Sequence, residues 1–385
     1  MQEDFHYYAT YSAAVLAGYS HEESLEIAYA DQFTDHCTET LLKKLKGPAS
    51  AATTQMQTEL INSRTDPVGL QKITRIWASF HFLPYDLNAV YPGKQKPPRR
   101  YMNKYRLICR PNSALVEETV RLAKGQSLPA VGIAMHVLAD TWAHSYFAGT
   151  PANVINNVSD YFFEIRGEES VPVRFRHNPT VSDDPDQGLY TASVHQENEN
   201  SIMNLGHGRA GHLPDYSFCR YRYLPVWNRY EEILKDNPSD YFHAYCQMIA
   251  AMQYLRGESD SFVCGQYAEE PAAPYRNQIT EILEKRQLNA CQDWKAFGEA
   301  LSGCEIPEFD LGRYQQEYTE AAEEQRDDTF LGRYFLAALA QKSMVTHRIF
   351  ESGNLLAGFS VRFSQFRGNR DYWKLIKLFR GRSGT

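Results

Sequence analysis

The chain has 385 residues, 43% of them hydrophobic, which is enough to bury a sizeable core as a single large domain. A formal net charge of −7 argues against a general electrostatic grip on nucleic acid. Seven scattered cysteines without a Cys-x-x-Cys pair exclude a zinc ribbon or disulfide framework and favour reduced thiols.

The N-terminus, Met-Gln-Glu-Asp-Phe-His, lacks the basic then apolar layout of a signal peptide. A cytoplasmic setting is expected, or export by a route that uses no N-terminal signal. Small and aromatic residues over 5–17 predict a short buried helix, opened by Asp4 and closed by Gly18, with His6 in its first turn. Ser20-His21-Glu22-Glu23 has the form of a capping box, and a long helix is expected over 25–45, stopped by Gly47-Pro48. Asp31 and Asp35 then lie one turn apart in largely apolar surroundings, which favours at least one inward, paired carboxylate.

The stretch 50–84 reads as irregular, its β-branched and aromatic residues suiting short strands or helix fragments. It ends in Phe80-His81-Phe82, a histidine between aromatics before a turn. Residues 91–100 read as a loop, and Asn112 or Ser113 caps a helix to Lys124. Ser127 leads into the apolar run 128–147, where His136, Asp140 and His144 recur every fourth position. On a helix they form one polar stripe about 12 Å long. Two imidazoles and a carboxylate in such surroundings are costly unless partnered, and either a divalent cation or a hydrogen-bonded core network satisfies them.

From 149 to 238 a loop-rich insertion is expected, containing Gly206-His207-Gly208-Arg209-Ala210-Gly211-His212-Leu213-Pro214-Asp215. Its glycines allow close backbone approach, and it offers His207, His212 and Asp215 as ligands. Helical patterns resume over 241–255, 275–287, 293–301, 311–324 and 328–350, as a second layer on a metal-binding core of 1–148. The basic aromatic tail from Arg362 to Arg382 can pack as a terminal helix or lie on an anionic membrane surface. The fold class expected is all-α, a multi-helix bundle with an irregular insertion and extra C-terminal helices.

The distinctive histidines, His6, His81, His136, His144, His207 and His212, together with Asp31, Asp35, Asp140 and Asp215, exceed what a mononuclear site needs. A multinuclear site follows if metal is bound, with Asp140 able to bridge. In order along the chain, His6, Ala28-Tyr29-Ala30-Asp31, Phe80-His81-Phe82 and the His136-x-x-x-Asp140 helix resemble the zinc-dependent phospholipases C and single-strand-specific nucleases. The 207–215 segment and the opening Asp-Phe-His-Tyr-Tyr are similar to a bacterial branch of that superfamily. The resemblance implies an all-α fold of that type, two or three zinc ions, and ligation by His6, Asp31, His81, His136 and Asp140.

Three features depart from that pattern. His144 follows Asp140 by four positions where the superfamily has six, and the final His-x-x-x-Glu/Asp pair is replaced by His212-Leu213-Pro214-Asp215. Five residues precede His6, which sets aside a role for the N-terminal amine. The implied function is metal-dependent hydrolysis of phosphate esters, with Asp35 to orient or deprotonate water, or to support a ligating histidine, and Arg209 to neutralise phosphoryl charge. A lipid headgroup is preferred to nucleic acid as substrate, and iron or manganese suits the same ligands as zinc. The rivals are a non-catalytic, metal-stabilised helical protein and a nuclease.

Overall fold

The computed structural model describes residues 1–63, 67–93, 97–158, 161–229 and 231–358. The tail 362–382 lies outside the described residues. The fold is predominantly helical with a small antiparallel sheet, so the expectation of a strictly all-α protein is corrected.

A π-helical turn, Asp4–Ala9, runs into α1 (Thr10–Leu16). Asp4 is the first residue of that turn and not its cap; its carboxylate accepts from the amides of Phe5 and Ala290. Ser20 caps α2 (His21–Phe33) in the predicted box with Glu23. The single helix expected over 25–45 is broken. The Thr34 hydroxyl donates back to the Ala30 carbonyl, and the Thr38 hydroxyl accepts from the Leu41 amide to start α3 (Glu39–Leu45) afresh. Asp35 therefore sits in a turn and not on a helix face.

The segment expected to be irregular holds α4 (Gln57–Ser63) and α5 (Pro67–Phe80). In α5, Leu70, Ile73, Trp77 and Phe80 recur at helical spacing, and the β-branched and aromatic residue types masked that period. Next come α6 (Arg99–Tyr105), which replaces the end of the expected loop, and α7 (Ala114–Ala123), capped by Ser113 as predicted. The helix α8 (Leu128–Ala143) is buried from Pro129 to Ala143.

The segment 149–238 is not loop alone. After the short α9 (Asn153–Asn156) it carries β1 (Phe162–Arg166), β2 (Glu169–Pro172), β3 (Arg174–Arg176), β4 (Leu189–Thr191), β5 (Arg220–Tyr223) and β6 (Ile233–Asp236). One antiparallel sheet has the order β2-β1-β5-β6, with Phe162 opposite Tyr223 and Tyr221 opposite Lys235; β3 and β4 pair in parallel. Two charged residues are buried among these strands. Glu164 accepts from Arg286, Arg166 and the Tyr190 hydroxyl. Lys235 donates to the Trp142 carbonyl and Ser145 Oγ, and also meets Asp240. Its ammonium thus lies at the C-terminal, partially negative end of α8.

The remaining helices are α10 (Asn237–Arg256), α11 (Glu269–Ala272), α12 (Arg276–Glu284), α13 (Cys291–Ser302), α14 (Gln315–Glu320) and α15 (Phe330–Glu351). The helix expected over 311–324 is reduced to α14. Central α8 packs against α2, α5, α7, α10 and α15.

α2 and α8 approach closely at Gly132. A Cβ there would fall 2.6 Å from Ala30 Cβ and 2.9 Å from the Asp31 nitrogen, and closer still to the Ile27 carbonyl oxygen. Backbone atoms cannot rotate away, so Gly132→Ala must push the two helices apart. We expect a stability loss of about 1–3 kcal/mol or more, read as a lower midpoint in urea unfolding. An unchanged midpoint would show that α2 is free to shift.

Candidate metal centre

Four elements converge on one face of α8. His136 and Asp140 project from it one turn apart, and His144 sits at its C-cap. The π turn brings His6, the break after α2 brings Asp35, and the turn after α5 brings His81. The insertion brings His207 and Asp215 on short 3₁₀ turns.

The glycines of that segment act as expected. Gly206 has φ +54°, and a Cβ on it would run into the Phe82 ring. Phe82 in turn stacks on His144, with ring centroids 4.8 Å apart.

Asp140, 1% exposed, is the hub. Its Oδ2 lies 3.1 Å from His81 Nδ1, 3.2 Å from His136 Nε2 and 3.4 Å from His144 Nδ1; Oδ1 lies 3.3 Å from His6 Nε2. Asp35 Oδ1 is 3.7 Å from His81 Nδ1 and 3.8 Å from His136 Nε2. On the far side, Asp215 Oδ1 lies 3.1 Å from His144 Nε2 and 3.7 Å from His207 Nε2. Among the described residues, three sets of donor atoms, each within 4.8 Å of one another, could hold a cation: His6, His136 and Asp140; Asp35, His81 and His136; and His144, His207 and Asp215.

The imidazoles are oriented from outside. Asp31 Oδ1 accepts from Nδ1 of both His6 (2.7 Å) and His136 (3.1 Å), while its Oδ2 accepts from the Thr10 hydroxyl. A carbonyl oxygen can only accept, so contacts to the carbonyls of Thr53, His81 and Gly211 fix the N–H on His81 Nε2, His144 Nδ1 and His207 Nδ1. Every histidine in the three sets thereby spends one nitrogen outward and keeps the other for the interior, the arrangement that outer partners give to metal-ligating histidines.

His6 Nε2 is buried without a hydrogen-bond partner. Several inner donor separations are close to the edge of about 3.4 Å expected for a tetrahedron of ligands about 2.1 Å from zinc. The donor set fits a divalent cation on chemistry, tautomer and spacing. Since His136 offers only Nε2, the first two sets share one histidine nitrogen.

The structure brings together His6, Asp35, His81, His136, Asp140, His144, His207 and Asp215. It places Asp31 behind the histidines, in contact with their outer nitrogens. His212, more than half exposed, donates from Nδ1 to the other oxygen of Asp215 at 3.2 Å and joins none of the three sets. Arg209 meets His195 at an exposed contact. The Met1 amine, set aside from the sequence, donates to Asp140 Oδ1 at 2.8 Å and lies 3.4 Å from Asp215 Oδ1.

The electrostatics follow from placing the carboxylates of Asp35, Asp140 and Asp215 close together among buried histidines. Burial pulls the His136 pKa down, but Asp140 and Asp35 more than reverse this and hold it at about 10. Burial also lowers the Met1 amine, and Asp140, Asp215 and Asp35 outweigh it to give about 11. Asp140 is held well below the usual carboxylate range: burial opposes ionisation, and His144, the Met1 amine and His136 overcome it. His207, where burial prevails, drops to about 4.

The Asp35 side chain is 29% exposed against 0–6% for His6, His81, His136, Asp140 and His144. It borders a cleft of about 470 Å³ whose walls include His36, Lys44, Thr54 and Gln55. Gln55 is only 6% exposed, and neither its Nε2 nor its Oε1 has a partner. Nothing in the run Thr53-Thr54-Gln55 marks that residue in the sequence.

A family model described as "Family of unknown function (DUF6765)" matches residues 1–349. The chain belongs to this family. The DUF6765 match takes in every residue of the three donor sets, the orienting Asp31 and the cleft. No curated protein and no solved structure matches the chain.

Proposed function

We propose that this DUF6765 protein is a metal-dependent hydrolase of phosphate esters, a phosphodiesterase of phospholipase C-like type with two or three zinc ions. The observation that carries this reading is the sharing of the buried Asp140 carboxylate among three inward histidine nitrogens, of His6, His81 and His136, beside a further His144–His207–Asp215 set. Iron and manganese suit the same donors. Cations held there supply Lewis acidity toward phosphoryl oxygens and lower the pKa of water toward neutrality.

The chain's own residues supply the rest. Asp31 and the Thr53, His81 and Gly211 carbonyls hold the imidazoles in place. Asp35, the most exposed member of the three sets at 29%, would accept a proton from water or complete the ligand set. The unpaired Gln55 amide, with one donor face and one acceptor face, suits a substrate bearing hydroxyl or headgroup polar atoms in the cleft. Arg209 contributes little to phosphoryl charge in this reading, because its contact is with His195 at the surface.

The test is metal analysis of the purified chain together with turnover of bis-nitrophenyl phosphate. Two or more equivalents of zinc, iron or manganese and chelator-sensitive turnover are expected. Less than one equivalent removes the basis of the proposal, and full metal without turnover on any phosphodiester leaves the non-catalytic, metal-stabilised alternative.

A further inference from the structure

On the far side of the 49–55 segment from His81, a second cavity of about 420 Å³ lies between α5 and α15. Its walls carry three cationic side chains, Lys72, Arg75 and Lys342, with the hydroxyls of Ser50, Ser343 and Thr346; Glu39 is its single carboxylate. Counting formal charges, three cations less one carboxylate leave +2 in one depression of a chain whose net charge is −7.

The groups are held in place. Arg75 donates from Nε to the Ala357 carbonyl at 2.6 Å, and Lys342 Nζ donates to the Ala52 carbonyl at 2.7 Å. Lys72 is tethered to Glu39 at 2.5 Å. The Thr346 hydroxyl is buried without a partner. Burial without enough counter-charge pulls the Lys342 ammonium down to about 8. A depression that concentrates cations and leaves a hydroxyl unsatisfied is completed by an anion.

We propose that this cavity is an oxyanion site that binds the phosphoryl group of inorganic phosphate or of a phosphomonoester, separate from the metal centre. A planar guanidinium, two ammonium groups and a set of hydroxyls match an ion that has several acceptor oxygens and more than one negative charge. A carboxylate presents fewer oxygens to the same donors. The site also adjoins the centre through consecutive peptides: the Ala52 carbonyl accepts from Lys342, and the Thr53 carbonyl accepts from His81 Nε2. An anion that draws Lys342 from Ala52 therefore acts one residue away from the group that orients His81.

The full-length protein as purified is titrated calorimetrically with inorganic phosphate and, separately, with phenyl phosphate. Saturable binding is expected. Lys342→Met should weaken it by about tenfold or more, as loss of a charge-assisted hydrogen bond does. Glu39→Gln, which removes the one carboxylate of the cavity, should tighten it severalfold, a gain that misfolding does not produce. Phosphate alone binding identifies the free ion as the ligand, and phenyl phosphate binding as well identifies the monoester; either supports the site. The proposal is overturned if neither compound titrates, or if Glu39→Gln leaves the affinity unchanged, which would locate the binding outside this cavity.

Discussion

Replacing Asp140 by asparagine is expected to strip most of the bound metal and to lower turnover of bis-nitrophenyl phosphate by roughly 10²–10³-fold or more. The side chain is nearly isosteric, so the effect is one of chemistry. Both carboxylate oxygens face inward nitrogens, Oδ1 toward His6 and the Met1 amine, Oδ2 toward His81 and His136. An amide turns one of these acceptors into a donor aimed at the same interior, and it removes the charge that offsets a cation. Asp31→Asn is the informative contrast. Asp31 holds His6 and His136 by their outer nitrogens, so its loss loosens the rings while leaving the inner donors in place. A fall of roughly 10–100-fold in metal affinity is expected there. If Asp140→Asn retains full metal and turnover, the chemistry lies elsewhere.

The difference between Asp31 and Asp35 also marks how far the sequence could be followed. Spacing puts both acids on one face of a continuous helix with at least one inward and paired, and the resemblance adds Asp31 as a ligand. The hydroxyls of Thr34 and Thr38 end that helix between them, and the turn swings Asp35 toward His81 and His136 while Asp31 stays behind. Side-chain capping of this kind is decided by tertiary partners; here the Tyr334 hydroxyl donates to Thr34 from 300 positions away. The stripe on α8 was legible because the polar period stands out against apolar neighbours. The sheet was not, because inward positions that should alternate as apolar carry Glu164 and Lys235, each satisfied by partners distant in the chain. The Met1 amine meets Asp140 across 139 positions, a contact that no local pattern announces.

The same charges predict opposite pH responses for the metal-free and metal-loaded protein. Without metal, His136 has a folded pKa of about 10 against 6.5 for an ordinary imidazole. Its stabilising contribution is thus fully present below about pH 6.5 and is lost as pH rises through about 10. The Met1 amine, raised from 8.0 to about 11, adds a loss of the same sign at higher pH. Asp140, held below 3.8, contributes above that value and loses its contribution as pH falls further. At about 1.4 kcal/mol per pKa unit, the His136 interval is worth several kcal/mol. His207, held down to about 4, costs stability as pH falls from 6.5 toward 4, so chelator-treated protein should be most stable near pH 6.5 and weaken steadily toward pH 10. A cation needs the neutral Nε2 of His136, so raising the pH over the same interval removes a competing proton and strengthens binding. Urea midpoints measured with chelator and with excess zinc should diverge as pH rises from 6.5 to 9. At pH 7.5, zinc titration should release protons, visible as a calorimetric heat that scales with buffer ionisation enthalpy. Parallel midpoint curves with no proton release would mean that no proton on His136 is displaced by metal, and would separate the cluster from any cation the protein carries.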